Sequence, residues 1–141
     1  MIRAVIFDCF GVILARGRFA VNEQLLSYIK NELKSKCKLG LLSNVGPRSY
    51  KMEDEVGKEG WELFDDKVLS YEVGLVKPDP EIYRLAASRL GVKPDECVFV
   101  DDGEHNVLAA EEVGMRGVVY RDFESFRRDL DKMLQEERDL I

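Results

Sequence analysis

Short apolar runs that stop at polar residues alternate along this chain with segments whose apolar positions recur every three or four residues. Residues 2–7 are β-branched and aromatic, end at Asp8 and are followed by Cys9, Phe10, Gly11 and Val12. This pattern predicts a buried strand that delivers a carboxylate to a loop. Residues 22–36 predict a helix, with Asn22 as its N-cap and Leu25, Leu26, Ile29 and Leu33 on one face. Residues 39–42 predict a second strand ending at Ser43 and Asn44, and residues 47–59 a helix opened by Pro47. A short strand over 67–70 is followed by a Pro-flanked loop at 77–80. A helix then runs from Pro80 through Leu90 and closes at Gly91. Residues 97–100 predict a strand ending at Asp101 and Asp102, residues 104–113 a helix closed by Gly114, and residues 117–120 the last strand. Asp122 caps a final helix whose apolar face is Phe123, Phe126, Leu130, Met133 and Leu134.

Strands that are apolar throughout, separated by helices, belong in a parallel sheet covered on both faces. The expected fold is α/β: a three-layer, doubly wound parallel sheet of about five strands. Residues 1–141 are expected to form a single domain, with residues 136–141 frayed. There are no repeats and no low-complexity linker.

Composition narrows the function classes. The hydrophobic share of 45% and charged share of 34% are ordinary for a globular protein. The net charge of −6 argues against general affinity for nucleic acid or anionic membranes. Lys30, Lys34, Lys36 and Lys38, interleaved with Asn31 and Glu32, read as a solvated helix face. No apolar stretch approaches the ~20 residues of a membrane span. The first run is too short for a signal peptide. Cys9, Cys37 and Cys97 share no metal-type spacing, so reduced thiols and a cytoplasmic location are expected.

Strands in such a sheet carry chemistry at their carboxyl ends, which converge in space. The polar residues there are Asp8, Ser43 with Asn44, and Asp101 with Asp102; Lys77 sits in the Pro-flanked loop. A nucleophilic carboxylate, a hydroxyl, an ammonium and an acidic pair suit phosphoryl chemistry. Mg²⁺ takes oxygen ligands and commonly only one or two carboxylates. It would screen a phosphate from Asp8, while Ser43 and the backbone N–H groups of Cys9 and Phe10 hold phosphate oxygens. Lys77 would stabilise developing charge.

Four segments together resemble the haloacid dehalogenase superfamily of hydrolases, most of which are Mg²⁺-dependent phosphatases. Residues 6–12 resemble its nucleophile motif, 41–44 its phosphate-holding motif, 74–83 its lysine motif and 98–106 its acidic metal motif. The resemblance implies that Asp8 attacks phosphorus to form an aspartyl-phosphate. It implies that Asp8 and Asp102 bind Mg²⁺ through side chains and Phe10 through its carbonyl. Asp101 would be a second ligand or orient water, and Asn106 would support the metal shell. Ser43, with Asn44 in the same motif, would bind phosphate, and Lys77 would bridge the phosphate and Asp8. The implied substrate is a phosphorylated molecule.

Two features depart from the family pattern. Phe10 stands where phosphatases of this family usually carry a second Asp, which protonates the leaving group and then activates water. General acid–base help is worth roughly 10²–10⁴-fold, so a weakened phosphatase is expected. An aromatic residue also occurs here in metal-free 2-haloacid dehalogenases, and loss of the acid also suits a phosphate- or metal-binding module without turnover. Against the dehalogenase alternative stand Asp101 and Asp102, two adjacent acids for which metal-free chemistry has no use. The second departure is the first connection: residues 13–21 are too few for a helical cap domain. An open site admits a macromolecular substrate, or a second copy of the chain covers it. Among bland readings, His105 is an exposed first-turn residue, Cys9 and Cys97 are packing residues, Trp61 and Phe64 pack a helix end, and Arg16 and Arg18 lie in a solvated loop.

Overall fold

The computed structural model describes residues 1–15, 20–47 and 50–139. Among them, five parallel strands form one sheet: β1 (Ala4–Phe7), β2 (Lys38–Ser43), β3 (Asp66–Leu69), β4 (Cys97–Asp101) and β5 (Arg116–Val119). Their order is β3-β2-β1-β4-β5. The chain winds outward from β1 through β2 to β3, then returns to the other side of β1 and winds outward through β4 to β5. The direction reverses between β1 and β4, and a crevice opens at the carboxyl ends of strands at such a reversal. This is the three-layer Rossmann-like sheet expected from the alternation of the sequence.

The helices are α1 (Glu23–Tyr28), α2 (Tyr50–Val56), α3 (Lys58–Trp61), α4 (Ser70–Val73), α5 (Pro80–Arg89), α6 (Glu104–Glu112) and α7 (Phe123–Asp139). β1 explains why its run is apolar throughout. Successive side chains of a strand face opposite sides. Ala4 and Ile6 join a core with Ile82, Tyr83 and Ala86 of α5 and Val107 of α6. Val5 and Phe7 join the other, with Leu25 of α1, Met52 of α2 and Phe126 and Leu130 of α7. Phe126 has its ring 5.9 Å from Phe7, 5.9 Å from Tyr28 and 5.6 Å from Tyr120. Such aromatic pairs add about 0.5–1.5 kcal/mol each beyond area burial. Phe64 lies edge-on to Phe7, and Lys67 caps the half-buried Trp61 ring, so both aromatics pack as expected.

Several boundaries differ from the sequence reading, each for a local reason. α1 is capped by the Asn22 side chain, which accepts from Leu25 N, but it widens into a π-helical turn over Ile29–Leu33. There Lys34 N reaches back to Ile29 O at 2.9 Å. Apolar spacing cannot distinguish that pattern from a continuous α-helix. The helix expected over 47–59 is interrupted at Gly57, which takes φ 89 between α2 and α3. Residues 48 and 49 lie outside the described set. The third strand stops one residue early because Ser70 opens α4, which ends at Gly74 with φ 73. β5 starts one residue earlier than expected. Gly117 within it is needed for space: a Cβ there would lie 2.5 Å from Val107 of α6.

The connection from β1 to α1 is compact. The Cys9 carbonyl accepts from the N–H groups of Val12, Ile13 and Leu14, and Gly11, at φ 90, donates to Leu14 O. Asn22 donates to Val12 O and to the Tyr120 hydroxyl, tying this loop to the far side of the sheet. Neither residues 8–22 nor residues 70–79, between β3 and α5, leave room for a cap domain. All three cysteines are buried and unpaired. Among the described residues, no helix is long and apolar enough to cross a membrane.

Candidate active site

The register of the central strands brings the site together. Phe7 pairs with Val100 across β1 and β4, so the next residues, Asp8 and Asp101, emerge side by side at the crevice. Asp8 N donates to Val100 O at 2.9 Å, and Tyr120 N donates to Asp101 O at 2.8 Å. The loop between α4 and α5 supplies the counter-charge. Lys77 Nζ lies 2.8 Å from Asp8 Oδ1 and 2.9 Å from Asp101 Oδ2. None of the three side chains is more than 8% exposed. Lys77 Nζ also stands 5.6 Å from the centroid of the Phe99 ring, an apolar face that favours a cation.

Asp101 is the most constrained member. Its Oδ1 accepts from Gly103 N at 2.9 Å, and its Oδ2 also accepts from Asn106 Nδ2 at 3.3 Å. Asn106 is held in turn, because the Tyr83 hydroxyl donates to its backbone carbonyl at 2.9 Å. Asp102 is half-buried at the same edge. Asp8, Asp101 and Asp102 each present one carboxylate oxygen, all within 4.8 Å of one another.

Burial pushes the Asp8 carboxyl from 3.8 up to about 7; the Lys77 ammonium pulls it down and the Asp101 carboxylate pushes it further up. The Lys77 ammonium lies between Asp8 and Asp101, and the cluster these two form with Asp102 offers three carboxylate oxygens close enough to share one cation. Two further atoms are consistent with a bound polar group. Ser43 Oγ and Asn106 Oδ1 are buried and find no hydrogen-bond partner among the described residues. Buried polar atoms without partners cost about 1–3 kcal/mol, and such atoms in a native site call for a missing ligand, ion or water. The oxygen-only donor set fits Mg²⁺.

The sequence-derived residues fall into place unevenly. Asp8, Lys77, Asp101 and Asp102 are brought together, with Ser43 at the end of the adjacent strand β2. Asn44 uses its amide on the Lys77 peptide, accepting from Lys77 N at 2.8 Å and donating to Lys77 O at 3.0 Å. Cys9 is fully buried; burial and the adjacent Asp8 raise its thiol to about 12, so its side chain stays a neutral packing group. The Phe10 ring packs against the core. His105 is exposed in the first turn of α6. Arg16 and Arg18 lie outside the described residues. The sequence reading missed Ser70, Tyr83 and Phe99 as supports of the site. Nothing in their spacing distinguishes them from other core and turn residues.

Comparison with known proteins gives the family and the fold. Residues 23–114 match the family model of haloacid dehalogenase-like hydrolases. The D-ribitol-5-phosphate phosphatase of Bacteroides thetaiotaomicron is 34% identical over 119 residues, covering 81% of this chain and 57% of that protein. A predicted HAD-like hydrolase of Porphyromonas gingivalis superposes with a TM-score of 0.80 at 20% identity, covering 95% of this chain and 98% of that one. The Bacteroides thetaiotaomicron enzyme bt-2542, crystallised with magnesium and inorganic phosphate, superposes with a TM-score of 0.73 at 19% identity, covering 86% and 95%. The chain spans only part of its curated relatives, from 13% of rat bifunctional epoxide hydrolase 2 to the 57% above. With the family model matched over most of the chain and the site assembled as described, the chain belongs to the haloacid dehalogenase-like hydrolases.

Proposed function

We propose that this hydrolase is a Mg²⁺-dependent phosphatase that acts on phosphate monoesters through an aspartyl-phosphate on Asp8. The observation that carries the reading is the buried Lys77 ammonium between Asp8 and Asp101, with Asp102 beside them and an unpartnered Ser43 hydroxyl on the next strand. Asp8, Asp101 and Asp102, with the Phe10 carbonyl, would hold Mg²⁺, which supplies charge neutralisation for the approach of a dianionic phosphate when bound. The phosphatase activity of the Bacteroides relative supports the same substrate class.

In this reading Ser43 Oγ donates to a phosphate oxygen and Lys77 neutralises charge as the transfer proceeds. The Asp8 carboxylate oxygen forms a bond to phosphorus while the ester P–O bond breaks. Water then attacks phosphorus, releases inorganic phosphate and restores Asp8. Residue 10 offers no acid, so the leaving group takes its proton from water. Good leaving groups therefore turn over best. A crevice without a cap admits large phosphorylated substrates, and a second copy of the chain could also wall it.

A panel of phosphate esters assayed with Mg²⁺ and with chelator, using Asp8→Asn as control, tests the proposal. The expected result is hydrolysis of activated aryl phosphates that disappears with chelator and in the variant. Turnover that persists in chelator, or release of halide from 2-haloacids without metal, would replace this reading by the metal-free one.

A further inference from the structure

Lys77 is held by its backbone as well as by its charge. Asn44 Oδ1 accepts the Lys77 N–H at 2.8 Å and Asn44 Nδ2 donates to the Lys77 carbonyl at 3.0 Å, so one planar amide grips both polar groups of a single residue. Lysine carries its charge on a flexible four-carbon stem, so a small rotation at its base moves the ammonium far. Elsewhere in the loop, residues 74–79 belong to no strand, and the described internal backbone bond, Asp79 N to Val76 O at 2.9 Å, does not involve Lys77.

The support beneath Asn44 is rigid on both sides. Ser43 is in register with Leu69 of β3. The Ser70 hydroxyl accepts from Val45 N at 2.8 Å and donates to Val45 O at 2.9 Å. Residues 43–45 thus form a bracket, fixed to the end of β3 and gripping the base of Lys77. Asn44 is exposed, so water takes over the Lys77 peptide as soon as the amide is removed.

We propose that Asn44 is the positioning residue of Lys77. Through its amide, the strand end that carries Ser43 sets where the ammonium stands between Asp8 and Asp101, and Ser70 braces that strand end. Its kinetic consequence rests on the phosphatase reading; its structural consequence does not.

Two measurements on the intact chain separate these. The first is the rate at which an amine-reactive reagent modifies Lys77, followed by mass spectrometry. Asn44→Ala should raise that rate about tenfold or more, as expected when two hydrogen bonds of ordinary strength are lost; Ser70→Ala should raise it less. Exposed Lys30 and Lys58 should be unaffected in both. Leu130→Ala, in the core of α7, serves as a destabilised control and should leave Lys77 protected. An unchanged Lys77 rate in Asn44→Ala, or an equal rise in Leu130→Ala, overturns the proposal. The second measurement is the division of the Asn44→Ala defect between kcat and KM on an aryl phosphate. It should follow the division seen for Lys77→Arg, at smaller size. A defect confined to KM in Asn44→Ala but to kcat in Lys77→Arg overturns the proposal, because Asn44 then touches the substrate itself. Absence of turnover by the unmodified protein removes the phosphatase reading alone and leaves the labelling rates to decide.

Discussion

Replacing Asp8 by asparagine exchanges a buried carboxyl for a neutral amide of the same shape, and its effect on stability should depend on pH. Burial and Asp101 outweigh Lys77 and hold the Asp8 carboxyl at about 7 instead of 3.8. A group with a raised folded-state value binds its proton more tightly in the folded protein than in the unfolded chain. Its contribution to stability is whole below pH 3.8 and is lost as the pH rises through about 7. Over that window the loss is on the order of 4 kcal/mol, and about half of it falls above pH 5.5. Asparagine has nothing to ionise. In urea unfolding with chelator present, the stability of Asp8→Asn relative to the native chain should therefore improve by about 2 kcal/mol between about pH 5.5 and pH 8.5. Comparing the two proteins cancels the titration of groups remote from residue 8, while Lys77 and Asp101 titrate together with Asp8. Added Mg²⁺ should stabilise the native chain more than the variant, because a ligand that binds only the folded state raises its stability. A relative stability independent of pH, or one that moves against the variant at high pH, would refute the assignment of Asp8 as a carboxyl raised by burial.

Three further substitutions probe other parts of the argument. Ser43→Ala removes a buried hydroxyl without a partner, so the free protein should gain roughly 1 kcal/mol in urea unfolding while inhibition by inorganic phosphate weakens. Phe10→Asp supplies an acid at the empty position and should raise kcat on alkyl phosphates at least about tenfold relative to aryl phosphates; an unchanged ratio would mean that residue 10 does not face the leaving group. Gly117→Ala places a Cβ 2.5 Å from Val107 Cγ1, and overpacking of this kind should lower stability by about 1–3 kcal/mol, read from the urea midpoint.

What the sequence conveys about this molecule follows the physics of each signal. The central strands were legible because β1 and β4 are buried on both faces, and a run such as Val5-Ile6-Phe7 ending in Asp8 admits few other readings. The three acids of the site were legible because strand ends in a parallel sheet converge whatever the loops do; Lys77, in the loop between α4 and α5, was marked instead by its Pro-flanked motif. The π-helical turn at Ile29–Leu33 was not legible, since the same apolar spacing serves both helix types. Gly57 was read as an interior helix residue because its φ of 89 is set by the chain around it. The role of Asn44 was assigned from its neighbour Ser43; its grip on Lys77 spans 33 positions, a separation on which local pattern carries no information.

Asp8 and the Lys77 ammonium are 69 positions apart, and Asp8 reaches Asp101 through the pairing of β1 with β4. During synthesis the first strand therefore leaves the ribosome long before either of its charged companions. A chain interrupted before β4 would carry Asp8, and past residue 77 its ammonium, but not the Asp101 carboxylate that completes the buried cluster. The buried cluster is therefore complete only once β1 has paired with β4 and the Lys77 loop has docked against them.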